Sequence, residues 1–325
     1  MLSRVIIHRN KFWGASMNRT TLVALTIAAA ALGANAIAQN RPAAAPNRPD
    51  FSKVEEKSTD LGHGLYMIVG AGGNTTLAVG SDGLIVVDAQ FAPVYPKLKA
   101  KIAEISTQPV KYLINTHYHG DHTGGNADFA RDGAVIVAQE NVVKRLQSPP
   151  PGPDGAPGRA APKEAIPTQT YATKTTVSVG GQTAQLTHLP NAHTDGDTVV
   201  YFPGANVLST GDIVGSESYP NIDVAVGGSI DGIISATDRI LKMGNADTKV
   251  VPGHGHLTDK AGVREYRTML VTARGLIAKE IAAGKTEDEM FADKPLAQLD
   301  KKWAANGGPF AMRFPRLVYR SLKQK

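Results

Sequence analysis

The stretch Thr116-His-Tyr-His-Gly-Asp-His-Thr-Gly-Gly-Asn126 decides how this chain of 325 residues is read. It sets His117, His119, Asp121 and His122 within six positions, directly after the apolar run 112–114, which has the pattern of a short buried strand. Gly120, Gly124 and Gly125 let the backbone bend sharply enough for several side chains to converge. Imidazole nitrogens and a carboxylate oxygen are the donor set of a borderline divalent cation such as zinc. A lone histidine is more often a satisfied core or surface residue. Four such donors in a glycine-rich loop after a strand point to a metal site.

A catalytic zinc takes about three protein ligands and keeps a position open, so this cluster already exceeds one set. Further donors follow along the chain. His193 falls in the turn 190–197, between the apolar runs 184–189 and 198–202. Asp212 closes Ser209-Thr-Gly-Asp212 after a predicted strand at 206–208, and His254 sits in Pro252-Gly-His-Gly255 after another at 249–251. Each lies just past a strand's C-terminal end and beside glycine, where α/β sheets gather functional loops.

In order and rough spacing these motifs resemble the metallo-β-lactamase superfamily over residues 61–257. The resemblance implies an α/β fold, a four-layered αβ/βα sandwich with two metal ions at one edge. It implies that His117, His119 and His193 hold the first ion, that Asp121, His122 and His254 hold the second, and that Asp212 bridges them. Secreted β-lactamases of one subclass use a cysteine on the second metal, but this sequence has none. Gly211-Asp212 stands where that cysteine would fall, as in the branch with a bridging aspartate. The added carboxylate lowers the electrophilicity of the pair and argues against a dedicated β-lactamase.

Two divalent ions about 3.5–4 Å apart can share a water and make hydroxide available near neutral pH. Asp121 is the candidate catalytic residue, placed to orient that nucleophile and move its proton. The chain has no Gly-x-Ser-x-Gly elbow. The reaction class is metal-assisted hydrolysis with two zinc ions, iron or manganese being the alternatives. Among other polar residues, Asp88 ends a predicted strand at 84–88 and reads as a carboxylate that fixes the loop. His256 is two places from His254 and reads as a supporting or surface residue, because alternate residues of a strand rarely share a metal. His188 reads as structural, and His63 carries little signal. Tyr118 and Tyr219 are open between lining the site and ordinary packing. Gly227-Gly-Ser229 is open between receiving a substrate carboxylate and capping a helix.

Residues 1–38 have the order of a secretory signal: Arg19, an apolar run at 22–32, then small residues ending at Ala38. Met17 is a more natural start than Met1. The apolar run is shorter than the roughly 20 residues a membrane span needs, so no stable membrane insertion is expected. These 38 residues hold Arg4, Arg9, Lys11 and Arg19 and no acid, so removing four cations takes the net charge from +6 to +2. With no basic stripe interleaved with aromatics, nucleic acid is not an expected partner. An exported, periplasmic chain without cysteine relies on its core rather than on disulfides.

Residues 39–60 read as a flexible leader and 61–283 as the catalytic domain. Predicted strands lie at 65–69, 75–79, 84–87 and 134–138, and predicted helices at 93–105 and 140–146. The segment 148–168, with seven prolines and three glycines, cannot be regular structure and is open between a lid and a surface insertion. Apolar stripes at helical spacing predict helices at 229–243, capped by Ser229, and at 261–281. Residues 284–325 read as a short helical appendage that either braces the domain or contributes to a dimer contact; the sequence does not decide the oligomeric state.

The function expected is an exported dinuclear zinc hydrolase of a small-molecule ester, lactone, amide or thioester, a β-lactam being one candidate amide. The alternatives are a glyoxalase II-like thioesterase, disfavoured by export away from the cytosolic thiol pool, and a metal-binding accessory protein without catalysis.

Overall fold

The computed structural model describes residues 50–152, 155–305 and 309–324. The expected signal segment 1–38 lies outside the described residues, as do residues 39–49 of the expected leader. Among the described residues, thirteen strands form two sheets. The first holds β1 (Lys57–Gly62), β2 (Leu65–Val69), β3 (Thr75–Val79), β4 (Leu84–Val87), β5 (Val110–Ile114), β6 (Val135–Gln139) and β7 (Gln169–Tyr171), side by side in chain order. Pairing is antiparallel from β1 to β4 and parallel from β4 to β7. The second sheet runs β8 (Lys174–Val179), β9 (Gln182–His188), β10 (Thr198–Phe202), β11 (Val207–Ser209), β12 (Lys249–Val251) and β13 (Thr258–Asp259).

Side-chain alternation assigns the layers. In β4 every residue is buried, as expected for a strand covered on both faces. Ile85 and Val87 join Met67, Ile114, Leu186, Val200 and Val251 in a core between the sheets. Leu84 and Val86 face the other way, onto Leu98 and Ile102 of α1 (Tyr95–Ile105) and Phe129 of α3 (Asn126–Arg131). The second sheet's outer face, with Val199, Leu208 and Val250, packs on α5 (Ile230–Lys242) and α6 (Lys260–Ala282). Helix, sheet, sheet, helix is the expected four-layered sandwich. Among the described residues no helix is long and apolar enough to cross a membrane.

Several boundaries differ from expectation for physical reasons. The first sheet begins at Lys57, ahead of residue 61, because the mostly exposed strand β1 pairs with β2. The helix expected from residue 93 starts at Tyr95, after a 3-10 turn at Ala92–Val94. Helix α4 runs Glu140–Gln147, and Ser229 caps α5 by accepting from Gly232 N at 2.9 Å. The C-terminal segment is part of the core. Met290 of α7 (Glu287–Asp293), Trp303 of α8 (Ala297–Trp303), and Phe314 and Val318 of α9 (Pro309–Lys323) share one apolar cluster with Ile233, Val263 and Tyr266. Ser321 of α9 also accepts a hydrogen bond from the N–H of Ile230, at the first turn of α5.

Among its described residues, the proline-rich segment 148–168 has little regular structure beyond a 3-10 turn at Lys163–Ala165. Its returning half is anchored: Ala161 N donates to Leu146 O at 2.8 Å, Asn126 Nδ2 to Ala165 O at 3.0 Å, and Thr168 N to Ile136 O at 3.1 Å. That overturns a loose insertion for this half.

Candidate metal centre

All seven predicted donors meet at the sheet edge where β4, β5, β11 and β12 end. Those of His117, His119, His193 and Asp212 lie within 4.8 Å of one another, and those of Asp121, His122 and His254 form a second such group. The loop after β5 is fixed at its start by Asn115 and Asn126, whose buried side-chain amides exchange hydrogen bonds of 3.0 and 2.9 Å. The short helix α2 (Gly120–Thr123) then turns Asp121 and His122 back toward His117.

Four of the five histidines are oriented from behind by the nitrogen they do not present to the centre. His122 Nδ1 lies 2.7 Å from Asp88 Oδ2, His193 Nδ1 2.9 Å from Asn221 O, His119 Nε2 3.1 Å from Asp223 Oδ2, and His117 Nδ1 3.0 Å from Thr116 Oγ1. A proton held on each outer nitrogen leaves a lone pair on the inner one. The inner nitrogens face each other closely: His119 Nδ1 is 3.1 Å from His117 Nε2 and 2.9 Å from His193 Nε2, and His122 Nε2 is 3.3 Å from His254 Nε2. Lone pairs pointing at one another at such distances repel unless a cation or a proton lies between them. Asp212 joins the groups, Oδ2 lying 3.5 Å from His193 Nε2 and Oδ1 3.1 Å from His122 Nε2. Asp212 Oδ1 is buried and lacks a hydrogen-bond partner of adequate alignment. Donor type, convergence and this orphaned oxygen all fit a metal cation.

The electrostatics agree. Burial alone would raise the pKa of Asp212, but His254, His122 and His117 hold it well below the carboxylate range. The Asp212 carboxylate, against burial, lifts His254 to about 10. His117, fully enclosed and beside His122, is pushed well below the usual imidazole value. Asp121 is lowered: burial opposes ionisation, but its bond to His254 and the nearby His122 outweigh it.

Glycine makes room at two points. A Cβ on Gly73 would overlap the His122 ring, and one on Gly253 would overlap Asp212 Oδ1. Asn74 clamps the His254 loop to the first sheet, its Nδ2 donating to Pro252 O and Gly255 O at 2.9 Å each. Neither Asn74 nor Asp223 stands out in the sequence, since nothing nearby in the chain marks them.

Asp88 plays the supporting part expected, also accepting from Thr116 N at 2.8 Å and Thr116 Oγ1 at 2.7 Å. His256 pairs with Glu217 at the surface, away from both donor groups. His188 Nδ1 bonds Asp197 O at 3.0 Å, a structural contact, and His63 is an exposed turn residue between β1 and β2. Tyr118 lines the cavity in front of the centre and donates to Asp223. Tyr219 belongs both to that cavity's wall and to the core, stacking on Phe314 at 4.4 Å and donating to Asp300. Pro149, Pro150 and Gly152, from the proline-rich segment, form another part of the wall.

The chain belongs to the metallo-β-lactamase superfamily, whose family model matches residues 68–256, more than half its length. Members of that superfamily are mostly metal-dependent hydrolases. It is similar to the 2,4-dinitroanisole O-demethylase subunit alpha of Nocardioides sp. (strain JS1661), with 28% identity over 51% of this chain and 49% of the relative. It is also similar to the linear primary-alkylsulfatase of Pseudomonas sp. (strain ATCC 19151), with 27% identity over 64% of this chain and 47% of the relative. The chain thus spans about half the length of these curated relatives. Among solved structures, a metallo-β-lactamase from Pontibacter korlensis superposes with a TM-score of 0.56 at 21% identity, covering 67% of this chain and 99% of that one. The likeness is one of fold.

Proposed function

We propose that this chain is an exported dinuclear zinc hydrolase acting on a small ester, lactone, amide or thioester. The observation that carries the reading is the pair of adjoining donor groups that share Asp212. His117, His119 and His193 would hold one cation, Asp121, His122 and His254 the other, and Asp212 both. When bound, two such cations polarise the bond to be cleaved and make water a competent nucleophile near neutral pH.

The chain's own residues supply the rest. Asp121 is a quarter exposed toward the cavity and ionised, so its carboxylate can orient a water and accept its proton. His254, with 46% of its side chain exposed, leaves the second donor group open to substrate. Asp223 and Tyr118 hold His119 in one orientation beside the entering molecule. Burial of His117, His122 and His193 keeps bulk water from behind the centre. The export part of the proposal rests on Arg19, the apolar run 22–32 and the small residues ending at Ala38.

Protein purified without added metal, analysed for elements and assayed on a chromogenic β-lactam, a lactone, a 4-nitrophenyl ester and a thioester, tests the reading. Turnover of at least one substrate, lost to a chelator and restored by zinc, is expected. Metal uptake without turnover on any of them would replace the enzyme with a metal-binding accessory protein. Fractionation of the producing cell tests export.

A further inference from the structure

The cavity in front of the donor groups is also lined by cationic side chains from the C-terminal helix α9. About 1030 Å³ in volume, it is lined by His119, Asp121, Asp212 and His254. Helix α9 contributes Arg313, Arg316, Leu317 and Arg320 to the same lining. These positions are i, i+3, i+4 and i+7, a single helical face. We infer that the substrate carries an anionic group remote from the bond that is cleaved, and that Arg313 receives it; this deepens the hydrolase reading above and rests on it.

Two of the three arginines are already engaged. Arg316 donates to Glu287 at 2.9 Å and Asp288 at 2.7 Å, and its guanidinium carbon lies 4.3 Å from the centre of the Phe291 ring. Arg320 meets Glu287 through two donors, each at 2.8 Å. Arg313 is exposed and has no hydrogen-bond or ion-pair partner among the described residues. Three cationic side chains on this face are thus met by two carboxylates, and the unmatched positive charge is the one on Arg313. A guanidinium is a fork of five donors that pairs with the oxygens of a carboxylate, sulfonate or phosphate.

The rest of the lining sets the character of the ligand. Phe91, Val214, Ile222 and Leu317 line it, so the body joining the two ends is apolar, and the volume suits a molecule of drug size. The same cavity is lined by Asp121 and His254 of the donor groups, where the electrophilic end of the molecule would sit. A charged head held by Arg313 orients the ligand, leaving its reacting group for Asp121 and His254 in the same cavity. Nothing in the sequence motifs marks this partner, because Arg313 lies beyond the residues the family model matches.

Calorimetric titration of the chelator-treated full chain with octanesulfonate and with neutral octanamide isolates the anion site from the metals. Octanesulfonate is expected to bind at least about tenfold more tightly than octanamide, and Arg313→Gln to abolish that preference, as loss of a charge-assisted hydrogen bond predicts. Arg313→Lys should restore part of it. Met312→Gln, at a neighbouring exposed position outside the cavity lining, should leave it intact. With zinc restored, Arg313→Gln should raise KM for mono-4-nitrophenyl suberate without changing kcat or the kinetics on 4-nitrophenyl octanoate. Equal binding of the two ligands by the wild type, or unchanged octanesulfonate affinity in a folded Arg313→Gln variant, overturns the inference even if esters are hydrolysed. An octanesulfonate site that depends on Arg313, in a protein that turns nothing over, leaves the anion site standing and removes the hydrolase.

Discussion

Replacing Asp88 by asparagine tests how the centre is oriented without touching any proposed ligand. Asp88 is buried and accepts three hydrogen bonds: from the backbone N–H of Thr116 at 2.8 Å, the Thr116 hydroxyl at 2.7 Å, and His122 Nδ1 at 2.7 Å. The backbone N–H cannot reverse, so the new amide must keep its oxygen there and turn its NH2 toward His122. The Thr116 hydroxyl can rotate to accept. His122 answers only by moving its proton from Nδ1 to Nε2, the nitrogen that faces Asp212 and His254. The second donor group thereby loses a lone pair while the first keeps all of its own. Changes to such supporting partners weaken metal affinity about 10- to 100-fold, or about 1.4 to 2.7 kcal/mol.

Competition titration against a zinc chelator reads the two sites separately. Asp88→Asn should weaken only one of two binding steps, and the metal-free protein should lose about 1 to 3 kcal/mol in denaturant melts, since a charge-assisted bond is replaced by a poorer one. Wild-type affinity at both steps, or equal weakening of both, would refute the tautomer argument.

The other predictions draw on separate parts of the molecule. Asn74→Ala removes both clamps on the His254 loop and should cost about 1 to 3 kcal/mol in chemical unfolding, with a lower zinc affinity; unchanged unfolding would show that the loop holds itself. Burial raises the pKa of Glu56 above its ordinary value, so its stabilising contribution is complete below the unfolded pKa and is lost as pH rises through the folded one. Glu56→Gln should therefore gain stability relative to wild type at pH 7 but not at pH 4, and a pH-independent difference would contradict this. Phe314→Ala should cost about 3 to 5 kcal/mol in thermal or denaturant melts, whereas a loss under 1 kcal/mol would mean that α9 is dispensable for the core.

The elements that could be read in advance are those where one residue class carries the signal. The strands 65–69, 75–79, 84–87, 198–202 and 249–251 are apolar runs cut off by glycine, proline or polar residues, and each appears with those limits. The seven donors were legible because histidine and aspartate recur beside glycine after such runs. Strands β1 and β8 were not, because β1 is nearly all exposed and Lys174–Val179 forms a sheet edge, so neither needs a hydrophobic pattern. The supports were hidden for another reason. Asn74 reaches Pro252 across 178 residues and Tyr118 reaches Asp223 across 105, and no local pattern records a contact that only the fold creates. Residues 284–325 looked like an appendage because Met290, Trp303 and Val318 gain partners only once α5 and α6 are in place.

Diffraction data collected at the zinc absorption edge, from crystals of the chain purified without added metal, bear most directly on the central claim. Two anomalous peaks are expected, one bounded by His117, His119 and His193 and the other by Asp121, His122 and His254, each at about 2.0–2.2 Å from an Asp212 oxygen. A peak at only one group, or two peaks with Asp212 bound to neither, would contradict a shared dinuclear centre.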